Sequence, residues 1–170
     1  MENKTAFKGT PVNLSGKFVT PGMKAPDFSL VGNDLGRFAP AYAKGKKLLL
    51  NIFPSLDTPV CSLSVRKFNQ LAAQMKDTLV LCISKDLPFA QSRFCGAEGI
   101  ENVTTLSDFH YASHFGTDYG VLMTDGPLSG LLARAVVIVD ANGNIAYSQL
   151  VPEIVNEPDY DAAIEALAKC

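Results

Sequence analysis

The chain has 170 residues, with 15 Lys and Arg against 17 Asp and Glu, a formal net charge of −2. That balance supplies no basic field for nucleic acid and no polybasic patch for an anionic membrane. With 47% apolar and 19% charged residues, the chain has the make-up of an ordinary globular protein, and its length fits a single domain over 1–170.

The first twenty residues, "MENKTAFKGTPVNLSGKFVT", contain no apolar core run, so no secretory signal is expected and a cytoplasmic location follows. No stretch approaches the roughly 18 apolar residues of a membrane span. The same segment alternates weakly around Gly9-Thr10-Pro11 and reads as a hairpin extension over about 1–20. "APDFSLVGNDLGRFAP" reads as a strand followed by a turn-rich connection. "KKLLLNIF" (46–53), stopped by Pro54, reads as a buried central strand.

A helix is predicted next, with Thr58 as its cap and Pro59 at its first position. Ser64, Phe68, Leu71, Ala72 and Met75 recur at helical spacing and mark its inner face. "TLVLCIS" (78–84) is a second buried strand. A second helix is expected from Asp86 as cap and Pro88 in the first turn to Gly96 as stop, with Cys95 at its end. "NVTTLSD" is a weaker strand, after which Ser107 is expected to cap a short helix over 108–116. "GLLARAVVIVD" and "NIAYSQLV" form two strands joined by the turn "ANG". The last helix carries a stripe of Tyr160, Ala163, Ile164 and Leu167. The order β-α-β-α-β-α, hairpin, α implies a parallel core with an added antiparallel pair, a thioredoxin-like α/β layout with a mixed central sheet flanked by helices.

Four cysteines occur, at 61, 82, 95 and 170. A chain of this size needs no disulfide staples, and no pair has zinc-ribbon spacing. Cys61 lies in the first turn of a predicted helix, just past a strand. Thiolate is the nucleophilic form of a thiol whose ordinary pKa is about 8.5. A helix N-terminus, with roughly +0.5 of a charge and unpaired N–H groups, favours that form. Position alone leaves two readings open, a reactive thiolate and a small buried hydrophobe. Cys61-Ser62-Leu63-Ser64 keeps the first cysteine of a Cys-x-x-Cys pair and replaces the second, so dithiol exchange within this loop is excluded.

Pro54, Thr58 and Cys61 match the Pro-x-x-x-Thr/Ser-x-x-Cys signature of peroxiredoxins, and "RFCGAEG" follows thirty-four residues after Cys61. With "VGNDL", "GPLSGLLARAVVIVD" and "SQLVPEI", the chain resembles the bacterial thiol peroxidases, a branch of the atypical two-cysteine peroxiredoxins. The resemblance implies reduction of hydrogen peroxide and alkyl or lipid hydroperoxides by Cys61. Thr58 would bridge sulfur and peroxide, backbone N–H groups of Val60 and Cys61 would hold the peroxide, and Pro54 would shield the sulfur. Arg134, taken alone a surface arginine at a strand start, becomes by resemblance the active-site cation. Cys95 becomes the resolving thiol, forming a Cys61–Cys95 disulfide recycled by thioredoxin, and a homodimer is implied.

Cys82, in mid-strand, is expected to be an inert core residue and Cys170 an exposed one. His110 and His114 are four apart and could share a helix face, but a Glu after the first His and a third ligand are both missing, so no metal is expected. "VGNDLG" lacks dinucleotide-fingerprint spacing, and no cofactor is expected. Two other activities use the same scaffold: a thiol–disulfide oxidoreductase, which Ser64 argues against, and a non-catalytic redox-sensing module that would react once per molecule.

Overall fold

The structure, a computed structural model, describes residues 3–170. The chain opens with strands β1 (Lys4–Phe7) and β2 (Thr10–Ser15), paired antiparallel. Lys8 and Gly9 between them both have positive φ, 51° and 81°, the tight-turn geometry that joins two strands with two residues. β3 (Leu30–Val31), β4 (Arg37–Phe38) and a 3-10 turn at Pro40–Ala43 follow. Then come β5 (Lys47–Ile52), α1 (Pro59–Ala72), β6 (Thr78–Ser84), α2 (Pro88–Glu98), β7 (Thr104–Ser107) and α3 (Phe115–Asp118). β8 (Leu122–Met123), β9 (Ala135–Val139), β10 (Ile145–Leu150) and α4 (Tyr160–Lys169) complete the chain.

The main sheet has the order β10-β9-β5-β6-β7-β3-β4. β5, β6 and β7 run parallel, whereas β9 pairs antiparallel with both β5 and β10. The expected mixed sheet flanked by helices is therefore what forms. Side chains alternate across it. Leu48, Leu50, Ile52, Leu81, Ile83 and Leu106 face one cluster, closed by Phe28, Phe115, Tyr119 and Leu132. Leu49, Val80, Val136 and Ile138 face the other, where Phe68 of α1 and Ala163 and Leu167 of α4 pack. The three long helices all cover this second face. Irregular chain, the 3-10 turn and the four-residue α3 cover the first. The N-terminal hairpin joins β8 in a separate three-stranded sheet. No helix among the described residues is long and apolar enough to cross a membrane.

Three local expectations change. No helix spans 108–116. Ser107 stays in β7, and its hydroxyl donates to the Asp86 carbonyl instead of capping. Asp108 is pulled inward, its carboxylate 3.1 Å from Lys85 Nζ and accepting the Ser113 hydroxyl. Burial of a carboxylate with its own partners outweighs the weak helical pattern, and helix starts only at Phe115, so His110 and His114 do not share a helical face. Asp86 does not cap α2 either; Leu87 is the N-cap, with no side-chain bond. Finally, α2 passes Gly96 and ends at Glu98, where Gly99 takes the left-handed conformation (φ 63°, ψ 39°). Gly99 and Ile100 N–H both donate to the Cys95 carbonyl, so Cys95 sits in the last turn of a helix that runs three residues past it.

Candidate active site

The site forms where β5 ends. Ligand crevices in sheets of this kind lie outside the carboxyl ends of parallel strands, and the segment 53–58 turns there from β5 into α1. Phe53 and Pro54 are buried, and Phe53, Leu56, Val65, Cys82 and Ile100 make an apolar cluster that encloses Cys61. Thr58 is the N-cap residue by backbone geometry (φ −104°, ψ 145°) but makes no side-chain cap. Its hydroxyl donates to the Ser55 carbonyl at 2.9 Å. That proton is committed to the loop and not to the sulfur, and the oxygen keeps its acceptor capacity. Pro59 occupies the first helical position, where its missing N–H costs nothing. The first-turn N–H groups beside Cys61 thus receive no side-chain acceptor from the cap.

Cys61 is 0% exposed, and Arg134 Nη2 lies 3.2 Å from its sulfur. Topology makes this contact. β9 is antiparallel to β5 with Ala135 opposite Ile52, so the residue preceding β9 arrives at the end of β5. Arg134 is itself 1% exposed. Nε donates to the Ile154 carbonyl at 2.8 Å, while Nη1 is buried without a partner. Among the described residues Arg134 is in no ion pair with a carboxylate. A buried guanidinium in that state is expensive unless something else uses it. Its contact to sulfur places a full positive charge where an anionic sulfur would be stabilised.

The hairpin extension holds the arginine's other partner. Thr5 Oγ1 donates to Val151 O at 2.8 Å, Ala6 N–H to Pro152 O and Ile154 N–H to Ala6 O, both at 2.9 Å. The Glu153 carboxylate accepts Lys8 N–H and Gly9 N–H at 3.0 and 2.9 Å. Hydrogen bonds from Gly9 and its neighbours hold that carboxyl below the usual carboxylate range. The segment 151–154 is therefore clamped by β1, and with it the Ile154 carbonyl that orients Arg134.

Ser64, at the second position of the Cys-x-x-Cys spacing, is buried and structural. Its hydroxyl donates to the Cys61 carbonyl at 2.8 Å and accepts Asn51 Nδ2 at 3.2 Å. Cys95 is half-buried against the same apolar cluster as Cys61, its sulfur 3.8 Å from Thr105 Oγ1. Burial pushes the Cys95 thiol above its ordinary value, against the lowering effect of Thr105 and Asn33. Both cysteines are free thiols. Cys82 is fully buried beneath them in β6; desolvation pushes its thiol from 9.0 up to about 12, which makes it inert as a nucleophile. Cys170 is exposed at the end of α4.

Sequence reading missed residues that organise this site without touching the Cys61 sulfur: Ser55, Asn51, Thr105 and the real role of Asp86. Asp86 was expected as a helix cap. Its carboxylate instead accepts Ser55 Oγ, Leu56 N–H and Ser84 Oγ at 2.7, 2.8 and 2.6 Å. An Asp two residues ahead of Pro88 gives the same local signal in either role. Only the partners thirty residues away distinguish them.

The Redoxin family model matches residues 20–164. The chain belongs to the Redoxin family. Within it, the chain is 56% identical over 164 residues to a thiol peroxidase of Corynebacterium glutamicum, covering 96% of this chain and 98% of that protein. It is 56% identical over 161 residues to a thiol peroxidase of Mycobacterium tuberculosis, covering 95% and 96%. The solved structure of a peroxiredoxin-like protein from Aquifex aeolicus superposes with a TM-score of 0.93 at 44% identity, over 99% of this chain and 98% of that one. The hairpin that clamps the arginine's partner lies outside the stretch the family model matches.

Proposed function

We propose that this Redoxin-family chain is a thiol-dependent peroxidase in which Cys61 is the peroxidatic sulfur and Cys95 the resolving one. The contact that carries the reading is Arg134 Nη2 to Cys61 Sγ, 3.2 Å, with Nη1 left as a buried, unused donor. A hydroperoxide beside the sulfur needs donors for its oxygens and an acceptor for its proton. Arg134 and the N–H groups of Val60 and Cys61 supply donors, and Thr58 Oγ1 supplies the acceptor. The sulfur's electron pair forms a bond to the terminal oxygen as the O–O bond breaks. Two electrons leave sulfur, and the departing oxygen takes a proton to become alcohol or water. Pro54, buried at the strand end, keeps bulk water from the sulfur.

The product is a sulfenic acid on Cys61. Cys95 attacks that sulfur, an S–S bond forms, and the S–O bond breaks with loss of water. Cys61 Sγ is fully buried against Arg134, so the first turn of α1 and the last turn of α2 loosen to let the two sulfurs meet with the Cα separation of up to about 7 Å that a disulfide allows. A thioredoxin-type dithiol then reduces the disulfide. The apolar neighbours Phe53, Leu56 and Val60 suit alkyl as well as hydrogen peroxide. The chain acts in the cytoplasm as a single domain over 1–170, and assembles as a homodimer.

The test is peroxide consumption with thioredoxin, its reductase and NADPH. Cys61→Ser is expected to be inactive, and Cys95→Ser to react once and stall. Full turnover by Cys61→Ser would make that cysteine structural. Insulin reduction by the native chain at thioredoxin-like rates would favour dithiol exchange instead.

A further inference from the structure

We propose that Asp86 is a positioning residue that governs how the Cys61 sulfenic acid is partitioned between disulfide formation and further oxidation. The inference rests on the assignment of Cys61 and Cys95 above.

The two sulfurs sit on separate segments, the 53–61 loop and turn and the helix α2, which pack side by side but are joined by few polar contacts. Asp86 is where they meet. One carboxylate oxygen accepts Ser55 Oγ at 2.7 Å, and the other accepts Leu56 N–H at 2.8 Å and Ser84 Oγ at 2.6 Å. Ser84 Oγ in turn accepts Gln91 Nε2 at 3.2 Å, and Gln91 Nε2 also donates to Leu106 O at 2.9 Å. Gln91 is 0% exposed, one turn before Cys95. A continuous chain of hydrogen bonds therefore runs from the loop preceding Cys61, through Asp86 and Ser84, to the buried pin of the helix bearing Cys95. The Asp86 main chain is fixed as well, since its carbonyl accepts the Ser107 hydroxyl.

This clasp exists only while both segments are folded. Resolution requires the first turn around Cys61 to swing out, and that movement pulls Ser55 and Leu56 away from the carboxylate. Beyond Gln91, the final turn of α2 is held only at the surface among the described contacts, by the Arg66–Glu98 pair at 3.2 Å with both side chains more than a third exposed, the weaker class of ion pair, while Cys95 Sγ lies 3.8 Å from Thr105 Oγ1. The second half of α2 can unwind while its first half stays pinned. The strength of the Asp86 contacts then sets how long the sulfenic acid stays in the folded pocket. There a second peroxide oxidises it to sulfinic acid, adding one oxygen and releasing water or alcohol. Once the turn has opened, Cys95 captures it as disulfide, with the S–O bond broken and water released. Contacts to a carboxylate are the stronger class of hydrogen bond, so Asp86 biases the equilibrium toward the folded state.

The experiment titrates reduced chain with hydrogen peroxide under dithiothreitol recycling and reads sulfinate against disulfide on Cys61 by peptide mass spectrometry. Wild type, Asp86→Asn, Asp86→Glu and Ser55→Ala are compared, with Leu167→Ala, a truncation in the remote α4 core, as a control for general destabilisation. For Asp86→Asn the peroxide concentration giving half sulfinate is expected to rise about tenfold, the change from weakening roughly one charge-assisted hydrogen bond. Ser55→Ala, which deletes one contact and leaves the carboxylate, is expected to move it in the same direction by about threefold. Asp86→Glu keeps the acceptors and is expected to restore part of the difference. In a Cys95→Ser background, Asp86→Asn should also slow the first oxidation of Cys61.

A partition unchanged within twofold in both Asp86→Asn and Ser55→Ala, or a shift toward sulfinate, overturns the inference. So does an equal shift in Leu167→Ala. Wild type forming no Cys61–Cys95 disulfide overturns the underlying assignment, and this inference with it. A wild-type disulfide with an unmoved partition overturns this inference alone.

Discussion

Replacing Arg134 separates two effects that usually travel together. The guanidinium makes one bond to the Cys61 sulfur at 3.2 Å and one to the Ile154 carbonyl at 2.8 Å, and its third nitrogen has no partner. Arg134→Lys keeps the charge but loses the planar fork, so one ammonium cannot serve both sites. Loss of one hydrogen bond to a charged group costs about 1.5–3 kcal/mol, which at about 1.4 kcal/mol per decade is roughly a 10- to 150-fold fall in the rate constant for peroxide. Arg134→Met, of similar length but neutral, removes every donor and is expected to lose roughly a thousandfold.

Stability should respond differently. A buried charge without a counter-ion opposes folding, and apolar replacement of such groups is often neutral or stabilising. Against that, the Ile154 carbonyl loses its donor, at about 1–3 kcal/mol. The two terms offset, and Arg134→Met is expected to keep its melting temperature within a few degrees of wild type. The chain contains no tryptophan, so an indole signal is not available. Competition for hydrogen peroxide against a reporter haem peroxidase gives the rate constant instead, and calorimetry gives the stability. Retention of the rate within fivefold by Arg134→Met would refute the role of the guanidinium at the sulfur. Loss of folding in the same variant would make the residue structural.

Thr58→Val removes both the bond to the Ser55 carbonyl and the acceptor for peroxide; a fall of roughly tenfold is expected in the same competition assay, with Thr58→Ser within about threefold of wild type. Equal loss in both variants would mean that the methyl group, and not the hydroxyl, matters. Cys82 carries a pH dependence: its thiol titrates at about 12 when folded against 9.0 ordinarily. Stability is intact below pH 9, where both states hold the proton, and falls by about 1.4 kcal/mol per pH unit above it, as the unfolded chain releases a proton the folded chain keeps. Urea unfolding from pH 8 to 10 should show that slope in wild type and a shallower one in Cys82→Ala; identical slopes would contradict it. Gly120 has φ 69°, and a Cβ there would lie 2.3 Å from main-chain atoms of Lys17 and Phe18. Gly120→Ala is expected to cost about 3 kcal/mol or more, lowering the melting temperature by about 6–12 °C, and a shift under 2 °C would show that the close approach relaxes freely.

The legible parts of this fold are those with short-range causes. The apolar runs of β5 and β6 stand between lysines, turns and proline, and nothing but a buried strand accommodates them. Pro59 admits only a helix start after Thr58, and the turn "ANG" closes the β9–β10 hairpin with Gly143 at φ 87°. Cys61 in the first turn of α1 follows from these signals alone. Where sequence reading failed, a distant partner had won. The weak helical pattern over 108–116 gave way to Asp108, drawn inward to Lys85. Gly96 was read as a stop, yet Gly99 three residues later takes the left-handed position, because both glycines carry the same local signal.

The chemistry of the site divides along the same line. A thiol at a helix start, a proline behind it and a threonine before it are all written within eight residues, and their local geometry needs nothing from the rest of the chain. Arg134 is 73 residues from the sulfur it contacts, Asp86 is 30 residues from the loop it holds, and Thr5 is 146 residues from the carbonyl it secures. Each of these polar groups has several partners compatible with its own neighbourhood. The pairing was set by sheet order and register, which bring β9 against β5 and lay the hairpin across 151–154, since a buried donor or acceptor must find whatever partner the packed chain leaves within reach.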